Sequence, residues 1–180
     1  MSKCSLKKSQ SNLDFKFMSF FFSIRDTFHS PVVKIKKSEI KTGDVVLDYG
    51  CGSGSYTIPA AEIVGKSGKV YAADIHPLAI KKVQKRTVKK ELTNIITIQT
   101  DLDTGLDDKS IDVVICFDVL HDIPDKERLI KEWYRILKNG GKLGFDDHHA
   151  KEEEILTTIT KGNLFKLEKK NEKFYLFIKV

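Results

Sequence analysis

The chain has 180 residues, 41% hydrophobic and 31% charged, which suits one globular domain with a sizeable core and excludes a wholly disordered or fibrous protein. The formal net charge of +6 is spread over many lysines, apart from one helix taken up below, so no dedicated basic tract is present. Cys4, Cys51 and Cys116 make no even framework and no CxxC pair, which points to a reducing compartment and away from a disulfide scaffold or a zinc site.

Residues 1–12 are polar and lysine-rich. From Leu13 to Phe28 the residues Phe17, Phe20, Phe21, Ile24 and Phe28 recur at three- and four-residue steps, one apolar face of a helix. The run Phe20-Phe21-Phe22 is too short for a signal-peptide core and is closely flanked by Lys16, Arg25 and Asp26. No stretch approaches the roughly 20 apolar residues of a membrane span. A cytoplasmic protein is therefore expected. Residues 1–28 read as a tail and a Phe-rich amphipathic helix, and 29–180 as one domain. The helix packs on the domain's rim, roofs a ligand as a lid, or touches a membrane surface, and these alternatives stay open.

A strand–helix alternation follows. Val45 to Asp48 reads as a buried strand, then a glycine-rich turn and a helix over Tyr56 to Val64. Lys69 to Ala73 is a second strand, and Pro77 to Lys90 a helix begun by proline. Asn94 to Gln99 and Ile111 to Phe117 are strands three and four, the latter continuously apolar at Val113-Val114-Ile115, as in parallel strands covered on both faces. A helix over Asp125 to Lys138 is expected to stop at Asn139-Gly140-Gly141, before strand five at Lys142 to Phe145. Lys151 to Thr160 reads as a helix with three glutamates in its first turn. Leu164 to Leu167 and Phe174 to Ile178, flanking a polar turn over Lys169 to Lys173, read as an antiparallel hairpin. The expected fold is α/β: a Rossmann-like, doubly wound, mostly parallel sheet with a C-terminal antiparallel hairpin.

The chemistry concentrates where strands end. In Asp48-Tyr49-Gly50-Cys51-Gly52-Ser53-Gly54 the alternating glycines permit a sharp turn and close approach of a ligand to the backbone. Asp48 would repel a pyrophosphate but can engage an ammonium group, directly or through water. That distinguishes this turn from a nicotinamide-binding one. Asp74 closes strand two, where an acceptor can hold both hydroxyls of a ribose. Asp101 follows strand three, where it can take a hydrogen bond from an exocyclic adenine amine. An acid at each of three successive strand ends marks a ligand crevice at the topological switch of the sheet.

These segments, with Phe117-Asp118-Val119-Leu120-His121-Asp122-Ile123-Pro124-Asp125 and Arg135-Ile136-Leu137-Lys138-Asn139-Gly140-Gly141, resemble class I S-adenosylmethionine (SAM)-dependent methyltransferases. The similarity runs from about Ser38 to Phe145 and is nearest to the small-molecule "type 11" branch, related to quinone-biosynthesis C-methyltransferases. The resemblance implies SAM as the methyl donor. Asp48 and the backbone of Gly50 and Gly52 would hold its methionine end, with Cys51 a small packing residue within the turn. Asp74 would bind the ribose hydroxyls, and Ile75 would lie against the adenine face. Asp101 and Leu102 would read the adenine edge, and Phe117 would line the floor near the sulfonium. Cys116 reads as strand core.

The acceptor is less legible. Methyl transfer from a sulfonium is an in-line displacement that needs a base only when the acceptor must lose a proton. Three of the five histidines, His121, His148 and His149, follow strands four and five, while His29 and His76 lie elsewhere. One reading makes His121 with His148 a base or orienting pair. In the other, His121 packs within its loop and Asp147 caps the following helix. Adjacent Asp and His residues seldom converge on one ion, so no metal is expected. The chain lacks the Asn/Asp-Pro-Pro-aromatic and Pro-Cys signatures of nucleic-acid methylation. Its basic helix (Lys81, Lys82, Lys85, Arg86, Lys89, Lys90) has no interleaved aromatics. A small-molecule acceptor is expected, and oligomeric state is left open. The alternatives are a nicotinamide-dependent oxidoreductase on the same fold, whose third glycine would have to stand at Ser55, and a non-catalytic SAM-binding partner subunit.

Overall fold

The structure, a computed structural model, describes residues 31–180. The expected Phe-rich helix over Leu13–Phe28, with Cys4 and His29, lies outside the described residues. The elements are α1 (Pro31–Lys37), β1 (Val45–Tyr49), α2 (Thr57–Val64), β2 (Lys69–Asp74), α3 (Pro77–Lys89), β3 (Ile95–Gln99) and β4 (Ile111–Phe117), followed by a 3-10 turn (Leu120–Asp122). Then come α4 (Lys126–Ile136), β5 (Leu137–Asp146), α5 (Glu152–Ile159), a second 3-10 turn (Lys161–Asn163), β6 (Phe165–Asn171) and β7 (Phe174–Lys179).

The strands form one sheet in the order β3-β2-β1-β4-β5-β7-β6. The first five run parallel, and β7 pairs antiparallel with both β5 and β6. The expected fold is the observed one. Side-chain alternation divides each apolar run between two cores. Val46, Val70, Val113 and Ile115 face the helices α1 and α2, whereas Leu47, Val114, Cys116 and Phe145 face α4 and α5. Trp133 and Ile136 of α4 are fully buried against that second face. Chain order reverses between β1 and β4, so the crevice opens above those two strands.

Three local expectations are corrected. Helix α4 ends at Ile136 rather than Lys138, because Leu137 already pairs with Ile111 as the start of β5. The pairing then jumps to Val113 with Lys142, so Asn139-Gly140-Gly141 is an excursion inside β5 and not a helix cap. A Cβ on Gly141 would lie 2.9 Å from the Lys138 carbonyl oxygen, so only glycine passes there. The hairpin is tighter than expected: Asn171 pairs with Phe174, leaving Glu172 and Lys173 as the turn, with Glu172 at φ 55°. Asp147 does not cap α5, whose N-cap position is Lys151 with no side-chain cap. Helix α1 was not expected. It buries Ile35 fully and places Ser38 where a Cβ on Gly144 would collide with it, at 2.4 Å from Oγ.

Candidate active site

The turn after β1 is set by its glycines and by backbone pairing. Gly50 has φ +76°, and a Cβ there would fall 2.3 Å from Cγ2 of Val119. Gly52 has φ +51° with nothing within 4 Å of its missing Cβ, so it faces the open side of the crevice. The N–H groups of Gly50 and Cys51 both donate to the Ala73 carbonyl, at 2.8 and 3.0 Å. The Gly52 N–H donates to Oδ2 of Asp74 at 2.9 Å, and the His76 N–H to Oδ1 at 2.8 Å. Asp74 is thereby locked by two backbone donors, and its oxygens keep lone pairs for further donors. Burial raises its pKa, partly opposed by those two N–H bonds. His76 is a helix cap, its Nδ1 accepting the Leu78 N–H.

Asp48 is buried at 2% exposure, with Oδ2 accepting the Thr57 hydroxyl at 2.6 Å. Burial pushes its carboxyl up to about 7, the Thr57 bond opposing and the Asp74 charge adding to the rise. Next to Asp74, Ile75 is an apolar side chain left 47% exposed. Asp101 is exposed, its Oδ1 takes the Leu102 N–H, and its carbonyl accepts the Tyr49 hydroxyl at 2.6 Å. Tyr49, edge-on to Trp133, thus ties the end of β1 to the exit of β3. Burial drives the Cys51 and Cys116 thiols well above their usual range, which leaves both inert.

The ends of β4 and β5 are stitched to each other by reciprocal Asp–His pairs. The His121 backbone N–H donates to Asp147 Oδ2 at 2.9 Å, and its Nδ1 lies 3.0 Å from both Asp147 oxygens. In the other direction, the His148 N–H donates to Asp118 Oδ1 at 2.9 Å, with Nδ1 at 2.5 Å from the same oxygen. Each histidine thus takes its acid from the opposite strand end, and the ring that His121 meets is that of His149, at 4.3 Å between centroids. The Asp147 side chain is fully buried, so its carboxylate grips the part-exposed His121 ring from the inner side. Burial works to raise the Asp118 carboxyl, but its bonds from His148 and the Lys34 charge outweigh that and hold it below the usual value.

Phe117 is buried at 7% exposure, edge-on to Tyr56 at 4.7 Å. Over these rings sits Lys34 of α1, its Nζ 5.4 Å from the Phe117 centroid and 5.8 Å from that of Tyr56, ion-paired with Asp146. Sequence reasoning missed Lys34, Tyr56, Thr57 and the pairing of Asp147 and Asp118. Lys34 has no distinguishing signal beside Lys36 and Lys37, whereas Thr57 sits at the start of the helix after the glycine turn, where a partner for Asp48 could have been sought. His121 and Asp147 line a small hollow with Leu120, Lys126, Ala150 and Ile155.

The sheet order is that of the Rossmann-like fold of SAM-dependent methyltransferases. The family model described as "Methyltransferase domain" matches residues 40–177, and the chain belongs to that family. Among curated relatives, a demethylmenaquinone methyltransferase of Lactobacillus johnsonii is 36% identical over 113 residues, 61% of this chain and 46% of that protein. An aklanonic acid methyltransferase of Streptomyces sp. is 37% identical over 109 residues, 60% of this chain and 50% of that one. The chain spans about half the length of these relatives. A SAM-dependent methyltransferase of Aquifex aeolicus superposes with a TM-score of 0.80 at 19% identity, covering 94% of this chain and 97% of that one, a likeness of fold. Family membership sets aside the nicotinamide oxidoreductase alternative.

Proposed function

We propose that this chain transfers the methyl group of SAM to a small-molecule acceptor at the carboxyl edge of β1, β4 and β5. The observation that carries the reading is Asp74. It is fixed by the Gly52 and His76 N–H groups beside an open glycine and an exposed Ile75, an arrangement suited to a ribose and its adenine. Asp48, through its second oxygen or a water, and the Gly50 carbonyl hold the ammonium end. The N–H groups of Gly50 and Gly52 are engaged within the fold, so the turn serves the ligand with oxygens. Asp101 and Leu102 meet the adenine edge, and Phe117 with Tyr56 forms the floor beside the reacting centre.

The donor supplies an already activated methyl group, so the protein's work is alignment and exclusion of water. His121 is the base for acceptors that must lose a proton. With Nδ1 donating to Asp147, Nε2, 3.4 Å from Asp122 Oδ2, takes the proton beside a carboxylate that favours the protonated ring, and Asp147 acts as the positioning residue. His148, held by Asp118, orients the exit of β5. The Phe-rich segment over residues 13–28 is the proposed roof of the acceptor, on the strength of its apolar periodicity. No helix among the described residues is long and apolar enough to cross a membrane. A cytoplasmic site of action goes with buried free thiols at Cys51 and Cys116.

Calorimetric titration with SAM and with NAD is the first test. Binding of SAM alone supports the reading, and failure to bind SAM at millimolar levels overturns it. A screen of quinols, phenols, thiols and arsenite with isotope-labelled SAM, read by mass spectrometry, then separates an enzyme from a non-catalytic partner subunit. Deleting residues 1–28 is expected to spare SAM binding and abolish turnover, and unchanged turnover removes the lid.

A further inference from the structure

The β4 and β5 ends hold a cluster to which the proposed methyl transfer gives an orienting role but no chemical step. Asp118, Asp146 and His148 each bring one potential ligand atom to within 4.8 Å of the other two. Asp146 is 1% exposed, and its Oδ1 is buried without a hydrogen-bond partner. A carboxylate oxygen left bare in the interior is costly, and the strand register, which sets Asp146 opposite Phe117, does nothing to satisfy it. The other oxygen takes the ammonium of Lys34, so a cation already rests on this carboxylate. Asp118 has φ 56°, a left-handed turn unusual for a residue other than glycine, and the His148 bonds fix its carboxylate at the β5 exit.

We propose that Asp118, Asp146 and His148 form a divalent-cation site for which Lys34 is the built-in competitor. Two carboxylate oxygens and one imidazole nitrogen suit Mn2+, Fe2+, Co2+ or Zn2+ better than Mg2+ or Ca2+, which favour oxygen alone. The entering ion displaces the Lys34 ammonium from Asp146 and takes a lone pair of the His148 ring. If it binds at Nδ1, it replaces the proton shared with Asp118, and that proton leaves to solvent. The His148 side chain is 45% exposed, so further coordination positions open to water or an acceptor. The site stands apart from the donor reading, and its test contains no SAM.

Chelator-treated full-length chain is titrated with Mn2+, free ion being counted by its paramagnetic resonance signal, and with Co2+, followed by visible absorption. The expected result is about one ion per chain, with His148→Ala and Asp146→Asn each weakening binding roughly tenfold or more. Lys34→Met is expected to tighten it by about threefold or more, because no ammonium remains to be displaced. No binding at millimolar Mn2+ and Co2+ overturns the proposal, as does binding unchanged by His148→Ala. If Asp146→Asn fails to fold, the half-exposed His148 carries the test alone, its fold checked by thermal unfolding. A Lys34→Met chain that binds the ion more weakly shows Lys34 to be a strut and removes the competition.

Discussion

On the β1–β3 side of the carboxyl edge, Asp74 is held by backbone N–H groups alone, whereas on the β4–β5 side the acids that backbone N–H groups hold also grip histidine rings. Asp74 is fixed by two N–H groups, and the glycine turn by the Ala73 carbonyl. His121, His148 and Lys34 are fixed by Asp147, Asp118 and Asp146. Backbone-set geometry tolerates side-chain replacement nearby and suits a ligand common to a whole family. Side-chain-set geometry changes with each substitution and suits a partner particular to one protein. The difference teaches where to look for donor binding and where to look for acceptor choice.

The largest expected effect lies on the second side. His121→Gln should lower turnover by about 100-fold or more for an acceptor that must lose a proton, with SAM affinity within about twofold of the parent. A thiolate acceptor should be spared. Asp147→Asn should act the same way more weakly, since it disturbs the Nδ1 tautomer without removing the ring. Steady-state and calorimetric measurements on the same preparations check this split, and turnover unchanged in both variants would reduce the dyad to a tie between strand ends.

Next comes Asp74→Ala, which removes acceptor oxygens from both the ribose and the Gly52 N–H. A loss of about 30-fold in SAM affinity is expected, about 2 kcal/mol, with turnover at saturating SAM little changed. Gly50→Ala should cost about 1–2 kcal/mol of stability, from the positive φ and the collision with Val119, seen as an earlier midpoint in urea. A midpoint equal to the parent's would show that Val119 moves aside freely.

The same contrast explains what was legible in the sequence. Asp48, the glycines, Asp74 and Asp101 stand at strand ends that alternating patterns locate within a residue or two, so their shared edge, the proposed donor side, was legible in the sequence. The acceptor side could not, because Asp118 with His148 and His121 with Asp147 are contacts between segments about 26–30 residues apart that share no pattern. Asp147 looked like a helix cap because Asp before a helix usually is one, yet the buried dyad claims it. Helix α1 escaped notice since seven residues with one buried side chain carry too little periodicity. The end of α4 was set by the pairing of Leu137 with Ile111, a tertiary contact that overrode a good glycine stop.

The smallest effect bears on the donor side's one departure from backbone control, Asp48, which leans on the Thr57 hydroxyl and on burial. Its carboxyl is raised from 3.8 to about 7, so the ligand-free fold holds a proton that the unfolded chain has lost over that window. The stability tied to this proton is full below the unfolded value and is lost as pH rises through about 7. A bound ammonium favours the ionised form, so SAM binding at pH 6 should expel most of a proton and at pH 8 very little. With a free-state value of about 7, affinity should be roughly tenfold weaker at pH 6 than at pH 8. Titrations in two buffers of different ionisation heat read the proton directly. Asp48→Asn should flatten the dependence while weakening binding at both pH values. Affinity that ignores pH between 6 and 8 in the parent chain would mean that the ammonium end rests on the Gly50 carbonyl alone, and control of the donor would then be wholly a matter of backbone.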